Sequence, residues 1–279
     1  MDVTRPKELA DLFRRRGFSP RKSWGQNFLV NREAVAKLIA AAKLTDSDTV
    51  LEIGPGLGVM TEPLLTAVSK VVAVEIDPWL CQFLSHRFSQ RVNFQLVQGD
   101  ALAQDFSLLF SEPYIVVANL PYNISSPLLL KLVGQPHPPL RAIVLLQWEV
   151  ARRLTASPGT RDYGALTVLM QYHCQTDILF KLSPGNFFPP PKVDSAAVRL
   201  LLRPSPCQPR NEEFFFRLVK IAFSQRRKML KGLLASALDM PKDEAGRALA
   251  DIGLAEDIRG EKLSLENFVA LADKLAGQV

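Results

Sequence analysis

Between about residues 49 and 147, short apolar runs alternate with longer stretches in which apolar residues recur at helical spacing. The runs are "TVLEI", "KVVAVEI", "NFQLV", "YIVVA" and "AIVLLQ". Each is apolar on both faces, as strands of a parallel sheet covered by helices on both sides must be. The connections "VMTEPLLTAVS", "PWLCQFLSHRF" and "SSPLLLKLV" place apolar residues along one helical stripe and predict the covering layers. The pattern predicts a doubly wound α/β domain with a mostly parallel sheet.

Beyond residue 160 the pattern changes. "YGALTVLMQY" reads as a helix, and "HCQTDILFKL" and "SAAVRLLLR" read as strands joined by the proline-rich "SPGNFFPPPKVD". No helix-length crossover separates these two strands, so they predict an antiparallel edge on the parallel sheet. "RPSPCQPR" has three prolines and no periodic apolar face, which marks a linker. The remainder has helical periodicity and no β-rich run. The expected division is residues 1–203 as the larger domain, 204–210 as linker and 211–279 as a small all-α domain of about four helices.

Composition narrows the class of function. The chain has 279 residues, 47% of them hydrophobic, and a formal charge of +6. A basic balance favours a polyanionic partner without requiring one. Cys81, Cys174 and Cys207 form no close pair and share no metal-ligand spacing with the three histidines, so neither a disulfide framework nor a metal site is expected. The N-terminal "MDVTRPKELADLFRRRG" contains acids and no long apolar stretch, and reads as an amphipathic helix. No window is long and apolar enough to span a membrane. The expectation is a cytoplasmic, non-membrane protein with reduced thiols.

The chemistry gathers at the strand ends. "LEIGPGLGVMTEPL" sets Gly54, Gly56 and Gly58 between a strand and a helix, where the backbone can approach a ligand closely. A dinucleotide fingerprint wants its third glycine one residue later, where this chain has Val59, so the spacing suits a nucleoside-type ligand better than a pyrophosphate. Such a turn also serves simply to pack a helix close to a sheet. Glu75 ends the second strand, where its carboxylate can accept from two ribose hydroxyls; a strand-end acid can equally face water. Asp100 follows the third strand and Asn119 the fourth. Ligands of open α/β sheets bind outside the carboxyl ends of the strands, and Gly, Glu, Asp and Asn at four successive strand ends converge there.

"LEIGPGLGVMTEPL", "VEID", "GDAL" and "NLPY", in this order, resemble the Rossmann-type methyltransferases that use S-adenosylmethionine. Together with "SWGQNFLVN", "FFPPPKVDSAAVRL" and "FSQRRKML", they resemble more specifically the KsgA/RsmA family of small-subunit ribosomal RNA adenine dimethyltransferases. The matching motifs run from Gly25 to Leu230. The resemblance implies dimethylation of two adjacent adenines in the 3′-terminal hairpin of 16S rRNA, within a small-subunit (30S) precursor, by a monomer that uses no metal. It implies cofactor contacts at Asn27, Leu29, Gly54, Gly56, Glu75, Ile76, Asp100, Ala101 and Asn119. Without it, "SWGQNFL" is a loop ahead of a helix beginning near Asn31, with Phe28 and Leu29 in the core.

"NLPY" has no acid, base or nucleophile of the usual kind, and methylation of an aromatic amine does not demand one. The amine is a poor nucleophile, but a sulfonium methyl donor is already activated. The Asn119 side-chain carbonyl and the Leu120 backbone carbonyl can accept from the two N–H groups and turn the nitrogen lone pair toward the methyl; positioning of this kind contributes up to roughly 7–11 kcal/mol in favourable intramolecular cases. Pro121 has no N–H to compete for these acceptors, and Tyr122 offers a face for stacking, worth about 1–3 kcal/mol. By resemblance Phe187 covers the base's other face. Taken alone, the same residues are also a strand-to-helix turn, with Asn123 or Ser125 capping the helix. "SQRRKMLKG" places Arg226, Arg227 and Lys228 at the start of a helix; a run of this kind is either a solvated face or an RNA-backbone surface. The competing assignments are a 23S rRNA adenine methyltransferase of the antibiotic-resistance type, a ribosome-assembly or transcription-associated binding protein on the same fold, and, more distantly, a dinucleotide oxidoreductase.

Overall fold

The architecture was determined as a computed structural model, which describes residues 2–276. The chain forms two compact units: the residues through Ala151 together with Thr176–Leu202, and Arg152–Gln175 together with the residues from Arg203 onward.

The first unit opens with helix α1 (Pro6–Arg16), which buries Leu9, Leu12 and Phe13 and ends at Gly17 in the left-handed conformation, a common helix stop. A two-residue strand β1 (Phe28–Leu29) follows, then α2 (Arg32–Ala42). Asn31 caps α2 by accepting from the Ala34 N–H at 3.0 Å, as the sequence predicts. The central sheet is built from β2 (Thr49–Ile53), β3 (Lys70–Glu75), β4 (Phe94–Gln98), β5 (Ile115–Asn119), β6 (Arg141–Gln147), β7 (Cys174–Leu182) and β9 (Ser195–Leu202). Its strand order is β4-β3-β2-β5-β6-β9-β7. The first five strands of that order are mutually parallel, and β9 runs antiparallel to β6. The parallel sheet with an antiparallel edge is thus observed. Helices α3 (Thr61–Ala67), α4 (Pro78–Arg87) and α5 (Ser125–Val133) make the crossovers, and α6 (Trp148–Leu154) follows β6 directly in the chain. Val50, Val71, Val117 and Ile143 meet Leu38 of α2 and Leu64 of α3 in one buried cluster.

"NFFPPPKVD" is more than a connection. Phe187–Phe188 form strand β8, which pairs antiparallel with β1, Phe28 opposite Phe188 and Leu29 opposite Phe187. The segment read as a loop with two buried apolar residues is therefore half of a small second sheet. Successive residues of a strand face opposite ways, so Phe187 enters the sheet core with Leu29 and Leu182. Phe188 turns to the aromatic cluster of Phe13 and Phe28.

The second unit holds α7 (Ala165–His173), α8 (Glu212–Phe223), α9 (Leu230–Leu238), α10 (Lys242–Ala250) and α11 (Leu265–Leu275). The expected boundary at residue 203 is displaced, because residues 152–175 group with the C-terminal helices. The cause is local chemistry. Tyr172 packs on Phe215 and Phe216, and the buried Tyr163 hydroxyl donates to the Leu263 carbonyl at 2.7 Å. The expected linker, 204–210, contains neither helix nor strand.

Tyr163→Phe removes one buried donor and leaves the Leu263 carbonyl without it, a loss of about 1–3 kcal/mol. A lowered urea midpoint of the full chain, with unchanged far-UV circular dichroism, is the expected outcome.

Candidate active site

Parallel register brings the functional strand ends to one level. Val50 pairs with Val71 on one side and Ile115 on the other; continued along the strands, this places Gly54 level with both Glu75 and Asn119. Glu75 is itself opposite Gln98, directly before Gly99 and Asp100. A cleft of about 270 Å³ opens on these ends. Asn27, Leu29, Gly54, Gly56 and Glu75 line it, and so do Ile76, Asp100, Ala101 and Asn119. All nine residues that the resemblance pointed to for a cofactor are brought together.

The glycine turn is built for close approach. Gly56 has φ +59, and a Cβ there would lie 2.8 Å from the Phe28 ring. Its N–H donates to Glu75 Oε2 at 3.1 Å, and the Asp77 N–H donates to Glu75 Oε1 at 3.0 Å. Burial pushes the Glu75 carboxyl above its ordinary range, and these N–H donors pull against that shift. Both oxygens are thereby fixed in place, each with a lone pair left for a ligand hydroxyl. Asp100 is held by the Leu102 N–H, 2.8 Å from its Oδ1. Ile76, 37% accessible, is an apolar side chain left open beside these acids, as the flat face of a base requires.

The segment from Trp24 to Leu29 lines one wall, and polar contacts lace it and the residues before it to the strand ends. Gln26 accepts from the Arg21 N–H at 2.7 Å and donates to Asp77 at 2.9 Å. Asn123 does not cap helix α5; its amide donates to the Ser23 carbonyl at 2.7 Å, and Ser125 Oγ donates to the Tyr122 carbonyl at 3.3 Å. The helix has no side-chain cap, so the capping alternative for this turn is not what the structure shows. Gly25, at φ +63, lies so close that a Cβ would stand 2.8 Å from Asn123 Oδ1.

Asn119 Nδ2 donates to the Asn27 carbonyl at 2.9 Å. A carbonyl only accepts, so this contact fixes the amide with its nitrogen toward Asn27. The other end, Oδ1, is buried without a hydrogen-bond partner. The Leu120 side chain is buried and lies outside the cleft lining, as does half-buried Tyr122, whose hydroxyl hydrogen-bonds Ser195 Oγ. Phe187 departs from the expectation: its ring is 3% accessible and belongs to the sheet core, so as it stands it presents no open face to a base.

One residue escaped the sequence reading. Glu52, the second residue of "LEIGPG", is fully buried and lines the cleft. Strand alternation turns it to the same side of the sheet as Asn119. Its Oε2 accepts from Thr61 Oγ at 2.6 Å, and Oε1 has no partner. Burial pushes its carboxyl up to about 8; the Thr61 bond opposes the shift and the charge of Glu75 adds to it. The signal was present in the sequence, as an acid inside a strand otherwise apolar on both faces.

In the second unit, the basic run does not lie on a helix. Arg226, Arg227 and Lys228 occupy the turn between α8 and α9. Arg226 is tied down by Glu261 at 2.5 Å and by the carbonyls of Arg161 and Thr160 at 2.6 and 3.1 Å. Arg227 and Lys228 are exposed. Among the described residues no helix is long and apolar enough to cross a membrane.

A sequence profile for the family described as ribosomal RNA adenine dimethylase matches residues 17–276. The chain belongs to the ribosomal RNA adenine dimethylase family. Its activity is accordingly that of an adenine-methylating enzyme acting on ribosomal RNA. The chain is 44% identical to the ribosomal RNA small subunit methyltransferase A of Pelotomaculum thermopropionicum, over 97% of this chain and 96% of that one. It is 38% identical to the protein of the same name from Bacillus mycoides, over 98% and 97%. Among solved structures, a dimethyladenosine transferase from Plasmodium falciparum superposes with a TM-score of 0.77 at 27% identity, covering 90% of this chain and 98% of that one. The 23S rRNA methyltransferase ErmE superposes at 0.68 and 28% identity, covering 90% and 100%. The dimethylase family is thus matched along nearly the whole chain, and the site motifs lie inside the matched region.

Glu52 binds its proton more strongly in the folded protein than at the ordinary value near 4.5. Folding stability therefore falls as pH rises from about 4.5 to about 8 and is insensitive to this group above that. Glu52→Gln, which retains an acceptor for Thr61, is expected to raise the melting temperature of the ligand-free protein at pH 8.5 by about 3 °C or more. The gain shrinks toward pH 5; scanning calorimetry across this range checks it.

Proposed function

We propose that this dimethylase transfers methyl groups from S-adenosylmethionine to N6 of two adjacent adenines in the 3′-terminal hairpin of 16S rRNA, acting as a cytoplasmic monomer on a precursor of the small subunit. The observation that carries the proposal is the buried, unpartnered Oδ1 of Asn119, fixed by the Asn27 carbonyl. A buried acceptor without a partner costs about 1–3 kcal/mol, and a substrate N–H supplied at that point removes the cost. The small-subunit assignment is supported by the names of the relatives at 44% and 38% identity, against 28% for the large-subunit enzyme.

The residues fit the cofactor. Glu75 has two fixed carboxylate oxygens for ribose hydroxyls, Asp100 an acceptor for the adenine amino group, Ile76 and Ala101 an apolar rim, and the Gly54–Gly56 turn passes the amino-acid end. When bound, the cofactor supplies a methyl group on a positively charged sulfur. The chain's own residues then position the nucleophile. Asn119 Oδ1 and the Leu120 carbonyl accept from the amino group and orient its lone pair, and Pro121 offers no competing donor. Tyr122 stacks on the base with its hydroxyl moored to Ser195, recovering part of the few kcal/mol needed to flip the base out. Phe187 backs this wall from the core. A second transfer requires that one acceptor tolerate a methyl where a donor stood, which positioning by acceptors on separate residues permits.

Asn119→Ala is expected to lower methyl transfer on the order of 100-fold or more while the fold is retained; labelled cofactor with unmethylated 30S and 50S particles, followed by mapping of the modified base, reads both activity and target. Wild-type turnover in the variant would defeat the positioning mechanism, and modification of 50S alone would favour the large-subunit reading. On the RNA side, Arg227→Gln with Lys228→Gln should weaken binding and flatten the log–log salt slope by about 0.7–0.9 for each phosphate no longer neutralised.

A further inference from the structure

Three carboxyl groups, those of Glu52, Glu75 and Asp100, line the cleft, and among the described residues no Lys, Arg or His lines it. Glu75 and Asp100 are engaged by backbone N–H donors. Glu52 is different, being fully buried with one oxygen held by Thr61 and Oε1 bare. Around it, α3 supplies the Thr61 hydroxyl and β3 the acid Glu75; Asn119 of β5 and the remaining acid, Asp100, line the same cleft. None of these supplies a positive charge. A carboxylate buried without a cation is costly enough that the group stays protonated instead, in keeping with a pKa of about 8.

We propose that Glu52 is the buried counter-ion for the ammonium group at the amino-acid end of the cofactor, and that loading of the cofactor expels the Glu52 proton to solvent. The proposal rests on the reading of the cleft as an S-adenosylmethionine site. The balance is simple: a neutral carboxylic acid and a free ammonium become a carboxylate–ammonium pair and one proton in bulk water. The partner is the ammonium, because the sulfonium has no N–H to give to a bare oxygen, whereas an ammonium has three donors. Glu52 also precedes the glycine turn by two residues, the turn assigned to that end of the ligand. The device makes affinity depend on pH. Below about 8, proton release opposes binding and affinity falls as pH drops; the ligand's own α-amino group, which titrates at about 7.7–8.0, limits the rise above that.

Isothermal titration calorimetry on the full chain tests this, with S-adenosylmethionine and separately with its demethylated product, S-adenosylhomocysteine, at pH 7 in two buffers of different ionisation enthalpy. The wild-type protein should release most of one proton with either ligand, since both carry the ammonium and only one the sulfonium. Glu52→Gln should release almost none, bind roughly 10- to 100-fold more weakly, as loss of a charge-assisted hydrogen bond predicts, and lose the fall in affinity toward low pH. Glu75→Gln should weaken binding while preserving the proton release. Unchanged proton release in Glu52→Gln, or its transfer to Glu75→Gln, would overturn the proposal; release with the sulfonium ligand alone would overturn the ammonium pairing. If the wild-type protein binds neither ligand, the cofactor reading itself fails, an outcome distinct from binding without proton release.

Discussion

One hydrogen bond, from the Asn119 amide to the Asn27 carbonyl, organises the cleft at the strand ends. It joins the end of β5 to the segment that precedes β1, so the wall of the cleft and the floor of the sheet are set against each other. Because the partner is an acceptor, the bond also settles which end of the amide faces outward. An asparagine at a strand end is ordinarily free to turn over; here the turned-over state would press two oxygens together. The chain thus obtains an oriented acceptor from its backbone, without any group of altered basicity. The Asn123 bond to Ser23 and the Gln26 bond to Asp77 repeat the arrangement on either side and hold the wall in register.

The two buried oxygens without partners, on Asn119 and Glu52, lie on adjacent parallel strands and face the same side of the sheet. Each costs the folded chain stability that a closed core would have kept. That cost is tolerable because the surrounding sheet is apolar and well packed, with Val50, Val71, Val117 and Leu64 all buried. A ligand that supplies a donor at either point recovers the cost of that oxygen on binding. A ligand without that donor leaves the oxygen unpaired, so the two positions discriminate by the donors a ligand can offer.

Much of this was legible in the sequence. Apolar runs on both faces marked the parallel strands, and the spacing of Gly, Glu, Asp and Asn at their ends located the cleft, because parallel strands must end together. Antiparallel β9 was legible from the missing crossover. Three things were not. The pairing of β1 with β8 joins residues 28–29 to 187–188, a contact between short segments far apart in the chain that no local period records. It also reversed the expectation for Phe187, since strand alternation, invisible in a two-residue strand, turned its ring inward. The grouping of 152–175 with the C-terminal helices depends on Tyr163 and Tyr172 finding partners about 45–100 residues away. Glu52 carries no period of its own in the sequence, because a single acid between Leu51 and Ile53 beside a glycine turn does not show whether it is paired or bare.

The basic turn shows why charge runs read differently in sequence and in structure. Arg226 is the first of three consecutive cations, yet Glu261 pairs its charge and two backbone carbonyls take two more of its five N–H donors. Its guanidinium is a fastening between the turn and the loops at 160–161 and 261. Lys231, farther along, is likewise matched by Glu256. Arg226, Arg227 and Lys228 are all exposed, but the charge of Arg226 is already matched by Glu261. A polyanion is drawn by the charge that remains after such internal pairing, so the unmatched charge of the turn is smaller than the run of cations in the sequence suggests. Rigid presentation lowers the entropy lost when an anion binds, so an arginine fastened inside the protein can raise its neighbours' affinity for an anion without meeting that anion itself.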